Sequence, residues 1–320
     1  MQHCQLMRNK LLAKSYIAAF FILALALAGC KKSVPPSQRE TEVRLESGDS
    51  WSNDFTILIP KMSDEPASGN EYVSIDDSNS ADGYFCVRYL GTAKKIKLQL
   101  FKDTSITYTY NIAPDEDAVI PLSLGSGIYS ITIYENIKDS DYAMIYAEDL
   151  EVNLDNELLP FLYPNQYVSF TEESDTTALA RELTNDCGSE LDAVAKVYDY
   201  MIKNITYDYD KAENVQPGYL PDVDEILRIK TGICFDYSAV MAAMLRSVGI
   251  PTRMEIGYSG DAYHAWVSVY VKDVGWINDI IEFDGNVWTL MDPTFDANSG
   301  GNTSLIGGGK KSEYTVMYNY

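Results

Sequence analysis

The chain has 320 residues, 46% of them apolar and 24 of them tyrosine, enough for packed cores and for about two domains. It carries 47 Asp and Glu against 25 Lys and Arg, a net charge of −22, so its surface repels phosphate backbones and nucleic acid is excluded as a partner. Its only histidines are His3 and His264, too few for a multi-histidine metal site or a histidine relay.

The first predicted element is an export signal over residues 1–29. Arg8, Lys10 and Lys14 form a basic region, Tyr16 to Leu27 an apolar run, and Ala28-Gly29 a small-residue cleavage zone. The run is shorter than the ~20 residues a membrane span needs. Leu27-Ala28-Gly29-Cys30 resembles a bacterial lipobox, which implies cleavage before Cys30 and a lipid on that cysteine. Loss of three basic residues would leave 22 Lys and Arg against 47 acids, a net of −25, with His264 the sole imidazole. Residues 30–50 begin Lys31-Lys32, continue rich in Ser, Pro and Glu, and read as a flexible tether. The expected location is the outer face of a bacterial membrane, held through the lipid.

Residues 51–168 alternate with period two between turn signals. Tyr84 to Tyr89, Ile96 to Leu100, Thr107 to Tyr110, Ile128 to Tyr134 and Leu150 to Leu154 read as strands, punctuated by Gly91, Pro114, Gly125-Ser126-Gly127 and Asp139-Ser140-Asp141. Short strands at near-regular spacing predict an all-β, Ig-like sandwich. This half holds no histidine and no catalytic cluster. A spacer role for it is favoured over ligand binding, since no exposed aromatic stripe can be picked out.

The pattern changes after Pro164, and residues 175–320 predict an α+β domain. Thr177 to Leu183 is a short helix. Ser189-Glu190-Leu191-Asp192 is a capping box opening a second, with Leu191, Val194, Tyr198, Met201 and Ile202 on one face. Asp222 to Ile229 is a third. The fourth starts at Cys234 and runs to Val248, ended by Gly249 and Pro251. Strands follow at Met254–Tyr258, Ala265–Val271, Trp276–Ile281 and Val287–Met291, with a turn at Asp284-Gly285-Asn286; Glu313 to Tyr320 returns as an edge strand.

With Cys4 in the signal and Cys30 lipidated, Cys86, Cys187 and Cys234 remain in the folded part. Cys86 and Cys187 could bridge, but two buried free thiols are the simpler reading. Cys234 differs. At the first turn of a helix it faces unpaired N–H groups and the positive end of the macrodipole, which favour thiolate and can lower a thiol pKa to roughly 3.5–7.5. His264, opening a strand, could take the thiol proton, and Asp292, closing another, could orient the ring. Each has an ordinary structural alternative: a small buried hydrophobe, a satisfied core histidine, a turn cap before Pro293. Their order along the chain lets the three converge. The acidic loops Asp76-Asp77 and Asp208-Tyr209-Asp210 lack EF-hand spacing, so no cofactor is expected and Ca²⁺ stays a minor option.

Four blocks occur in order: Gly232-Ile233-Cys234-Phe235-Asp236-Tyr237-Ser238, Leu245-Arg246-Ser247-Val248-Gly249-Ile250-Pro251-Thr252-Arg253, His264-Ala265-Trp266, and Trp288-Thr289-Leu290-Met291-Asp292-Pro293-Thr294. Together they resemble the motifs of the transglutaminase-like superfamily over roughly residues 191–295, with Ile205-Thr206-Tyr207-Asp208 upstream. The resemblance implies a papain-like α+β fold and a Cys-His-Asp triad, with Cys234 as nucleophile, His264 as base and Asp292 as orienting acid. One departure is an added stretch from Lys272 to Asn286, which brings a rival acid, Asp279, without the following proline. A side-chain oxyanion donor is expected upstream, Tyr207 first and Tyr209 second.

The expected activity is acyl transfer on peptide or glutamine amides through a Cys234 thioester, resolved by water or by an amine; the partner is a protein or peptide substrate. The alternative is a catalytically silent scaffold whose sandwich engages a surface polymer or protein.

Overall fold

The computed structural model describes residues 51–63, 65–103, 106–259, 262–277, 282–283, 288–289 and 314–320. The signal, Cys30 and the tether lie outside the described residues, as do Asp279 and Asp292. The described residues belong to one compact unit. Among the described residues no helix is long and apolar enough to cross a membrane.

The β-rich half comprises β1 (Ser68–Gly69), β2 (Val73–Asp76), β3 (Tyr84–Tyr89), β4 (Ile96–Phe101), β5 (Tyr108–Ile112), β6 (Asp117–Pro121), β7 (Gly127–Lys138) and β8 (Asp141–Val152). They form two antiparallel four-stranded sheets, ordered β1-β2-β3-β6 and β5-β4-β7-β8. Alternation sets their faces: in β4, Ile96, Leu98 and Leu100 are buried, while Lys97 and Gln99 face outward. With Ile131 and Ile133 of β7 and Ile75, Phe85 and Val87 of the first sheet they make a common core. Each such side chain contributes about 1.5–3 kcal/mol by leaving water. β8 begins well before the expected Leu150. Its first residues alternate weakly, and the Asp139 turn, with φ 50°, fixes their pairing to β7 instead.

The second half runs α1 (Asp175–Thr184), α2 (Glu190–Asn204), β9 (Thr206–Tyr207), α3 (Tyr209–Asn214), α4 (Val223–Ile229), β10 (Thr231–Gly232), α5 (Cys234–Ser247), β11 (Thr252–Ser259), β12 (Ala262–Val271), β13 (Gly275–Ile277), β14 (Glu282–Phe283), β15 (Trp288–Thr289) and β16 (Tyr314–Asn319). The Ser189 hydroxyl caps α2 by accepting from the Asp192 N–H at 3.1 Å. Helix α5 is buried on all sides from Asp236 to Ser247, so its pattern is apolar rather than amphipathic. It packs on β12 and β11 of an antiparallel sheet ordered β13-β12-β11-β16, and α1, α2 and α4 pack on it in turn. Gly275–Ile277, at the start of the expected Trp276–Ile281 strand, pairs with β12, whereas Glu282–Phe283, beyond its expected end, pairs with Trp288–Thr289; the expected turn lies outside the described residues.

Buried groups bind the two halves together. The Tyr167 hydroxyl donates to Thr109 O at 3.0 Å, and Asn319 N–H donates to the Tyr108 hydroxyl at 3.0 Å. Tyr108, Tyr110, Tyr167 and Tyr320 pack as one ring cluster. Arg246, fully buried in α5, donates to the backbone oxygens of Thr252, Tyr163 and Tyr320 at 2.6–2.9 Å, and these satisfy its guanidinium. Cys86, Cys187 and Cys234 are all free thiols. Burial pushes the Cys86 thiol up to about 12, so it behaves as an inert core residue.

Candidate active site

Cys234 is the first residue of α5 and is held there by what surrounds it. Ile233 N–H donates to Asp236 Oδ2 at 2.9 Å, so the third helical residue reaches back to cap the helix start. Asp236 is wholly buried and fully engaged: Lys211 Nζ lies 2.5 Å from Oδ2 and the Tyr219 hydroxyl donates to Oδ1 at 2.7 Å. Lys211 also sits over the Tyr219 ring, 4.2 Å from its centroid. Gly232 admits this arrangement because a Cβ there would lie 2.7 Å from that of Asp236. The sequence reading missed this cluster. An Asp at the third position of a helix is a visible cap signal, but nothing local links it to Lys211 or Tyr219.

Tyr207 is brought to the thiol by a two-residue parallel bridge, in which Thr206 N–H donates to Lys230 O and Asp208 N–H to Gly232 O, both at 2.9 Å. Its hydroxyl lies beside both the backbone N–H and the sulfur of Cys234. Burial, and then the neighbouring Cys234, push the Tyr207 hydroxyl up to about 12, so it is a proton donor at neutral pH. Tyr209 is exposed and stacks edge-on against Tyr207, with ring centroids 5.0 Å apart. Asp208, from an acidic loop weighed for calcium, caps α3 by accepting from Lys211 N–H at 2.8 Å.

His264 lies on β12 opposite Gly257 of β11. A Cβ on Gly257 would fall 2.0 Å from Thr315 O, so only glycine lets β16 approach at the bulge between Ile256 and Gly257. The His264 ring stacks with that of Trp266, centroids 6.3 Å apart and 24° between planes. Trp266 is fixed in turn: its Nε1–H donates to the buried Glu255 Oε2 at 2.7 Å, which also accepts from the Ser268 hydroxyl at 2.7 Å. The N–H groups of the next residue, Ala265, and of Phe235 lie near enough to the Cys234 sulfur to favour its thiolate. The strand bearing His264 therefore abuts the thiol.

The expectation of a lowered thiol pKa is corrected. Burial raises the Cys234 thiol above its ordinary value of 9.0, the Asp236 charge adds to this, and the N–H groups of Ala265 and Phe235 with the Tyr207 hydroxyl offset only part. Desolvating a thiolate costs more than three partial charges return.

Residues 177–279 match the family model described as the transglutaminase-like superfamily. This segment is a transglutaminase-like domain. The matched span includes Tyr207, Cys234 and His264 and ends at Asp279. The protein YebA of Bacillus subtilis strain 168, itself uncharacterised, is 33% identical over 124 residues, which is 31% of this chain and 16% of that relative. A Cytophaga hutchinsonii protein assigned as a cysteine protease overlays at 17% identity, covering 66% of this chain and 78% of its own, with a TM-score of 0.33. Red sea bream transglutaminase overlays at 14% identity and a TM-score of 0.30, covering 64% of this chain and 49% of its own. The family model carries the assignment of the transglutaminase-like domain.

Proposed function

We propose that this chain is a cysteine acyl-transfer enzyme acting on peptide or glutamine amides. The observation that carries the reading is the approach of the Ala265 N–H, next to His264, to the Cys234 sulfur at the start of α5. Cys234 Sγ attacks the amide carbon while His264 takes the thiol proton, Asp292 orienting the ring. The tetrahedral oxyanion is held by the Cys234 N–H and the Tyr207 hydroxyl, which turns from sulfur to oxygen. His264 then returns the proton to the leaving amine and a thioester remains. Water or a second amine attacks the thioester, releasing acid or new amide and restoring the thiol.

The same reading keeps the chain at the cell surface, lipidated on Cys30. Lettered in chain order from β2 as A, B, C, C′, E, F and G, the strands run A-B-E and C′-C-F-G, an order that supports an Ig-like sandwich as the platform for the enzyme.

The test incubates the full-length protein with a glutamine peptide, with and without a labelled primary amine. Label uptake lost in Cys234→Ala identifies amine transfer, and hydrolysis alone identifies an amidase or peptidase. Tyr207→Phe should lower kcat/KM about 10²-fold with the fold intact. No turnover of either kind would favour the silent scaffold.

A further inference from the structure

The face of β12 on which α5 packs loses its cover at the thiol. Alternation puts Tyr263, Ala265, Val267 and Val269 on one side of the strand, and the two valines are fully buried in the core that α5 shares. Ala265, whose N–H approaches the Cys234 sulfur, is still buried at 5% exposure. Helix α5 begins at Cys234, so the strand continues beyond the helix, and the next residue on that face, Tyr263, is 60% exposed. Tyr258 stands directly across from it on β11 and is 43% exposed. Their rings meet edge to face, centroids 5.4 Å apart and 65° between planes, so each holds the other in place although both meet solvent. Behind them on the same face Ile256 and Tyr318, paired across β11 and β16, are half-buried against the core. The Tyr263 hydroxyl lies within electrostatic reach of Tyr318, Tyr258 and the Cys234 sulfur.

We propose that the Tyr258–Tyr263 row is a substrate subsite of the thiol, taking an aromatic or large aliphatic side chain of a polypeptide about two residues from the reacting amide. The proposal rests on the acyl-transfer reading for Cys234 as the attacking group, and adds which amides that group selects. Spacing sets the position. Tyr263 lies two strand residues from Ala265, about 6.6 Å along β12, and an extended substrate covers that distance in the same two residues. The lining sets the chemistry. Tyr258, Tyr263, Ile256 and Tyr318 carry no formal charge at neutral pH, so a charged side chain would lose water there and gain no partner, whereas an apolar one gains by leaving water. Size sets the kind of occupant. Two exposed rings fall far short of the roughly 800 Å² that each partner buries in a stable protein interface, and they suit a single side chain. The angle between the rings makes a notch with one face and one edge, rather than the flat open ring on which a sugar stacks.

The test reads alkylation of Cys234 in the full-length protein and so does not depend on turnover. Near pH 9.0, the ordinary thiol value, the protein is treated with acetyl-Phe-Gly chloromethyl ketone or acetyl-Ala-Gly chloromethyl ketone. Modification of Cys234 is timed by peptide mass spectrometry, which separates it from the free thiols Cys86 and Cys187. The Phe probe is expected to react about tenfold faster than the Ala probe, the margin of one buried aromatic contact. Tyr263→Ala should bring that ratio close to one. If Tyr263→Ala fails to fold, Tyr258→Ala carries the same expectation. A ratio near one in the unaltered protein, a ratio that neither substitution lowers, or no reaction with either ketone overturns the subsite. Protection of Cys234 from the Phe probe by N,N′-diacetylchitobiose overturns it in favour of a saccharide site. A tenfold ratio abolished by Tyr263→Ala, without turnover of any glutamine peptide, supports the subsite while sinking the acyl-transfer reading.

Discussion

At Cys234 two opposing effects meet, and their balance decides how the thiol can work. Helix-start N–H groups pull its pKa down; burial pushes it up and prevails. The neutral thiol therefore persists to higher pH than for an exposed cysteine, and under the proposed function deprotonation belongs to the moment of attack, with His264 as the proposed base. The sign gives a measurable profile: iodoacetamide alkylation of Cys234 should be slow at neutral pH and climb through and beyond pH 9, the ordinary thiol value. A rate already level below pH 7 would reveal a preformed thiolate and sink this account. The residue types were legible in the sequence, because a thiol at a helix start and a histidine beside a strand are local facts. The choice between Tyr207 and Tyr209 was not. It turns on a two-residue bridge between segments 25 positions apart, which places one hydroxyl beside Cys234 and leaves the other ring exposed.

Among the elements, α5 was the most readable and its support the least. Its start, its glycine stop and its burial follow from a run without Pro or Gly between Gly232 and Gly249. What holds its first turn is Asp236, a buried carboxylate whose charge is met by Lys211, Tyr219 and the Ile233 N–H. Removing the cation leaves that charge uncompensated, the costly half of a buried pair. Lys211→Met should lower stability by about 3 kcal/mol, read as a fall in the denaturant midpoint at constant slope, and adding Asp236→Asn should recover part of it. An additive loss in the double variant would show that the pair does not couple. The long β7–β8 hairpin was only partly visible and the short α3 was missed, because their residues lack strong periodicity and their pairing is imposed by neighbours.

On the scale of the molecule, the two halves meet in a buried tyrosine cluster that makes the fold sensitive to alkali. Burial raises Tyr108, Tyr110, Tyr129, Tyr167 and Tyr320 above the ordinary phenol value. Above about pH 10 the unfolded chain releases phenolic protons that the folded one keeps, so stability is complete below that pH and falls as pH rises through it. The Tyr110 hydroxyl is buried without a hydrogen-bond partner. Tyr110→Phe should therefore stabilise the protein by about 1 kcal/mol at pH 7 and flatten its alkaline loss, both measurable by thermal melting across pH. A destabilised variant would mean that the hydroxyl has a bound water to lose.

The sequence by itself determined the class of each half, the helix that carries the thiol, the strand that carries the imidazole and the family of the segment between Thr177 and Asp279. Those are written in local periodicity, caps and ordered motifs, which need no distant partner. The tertiary structure decided which tyrosine meets Cys234, which carboxylate anchors its helix, and the direction in which its pKa moves. Each of these depends on groups far apart in the chain being desolvated together, and burial is a property of the assembled fold rather than of any stretch of sequence.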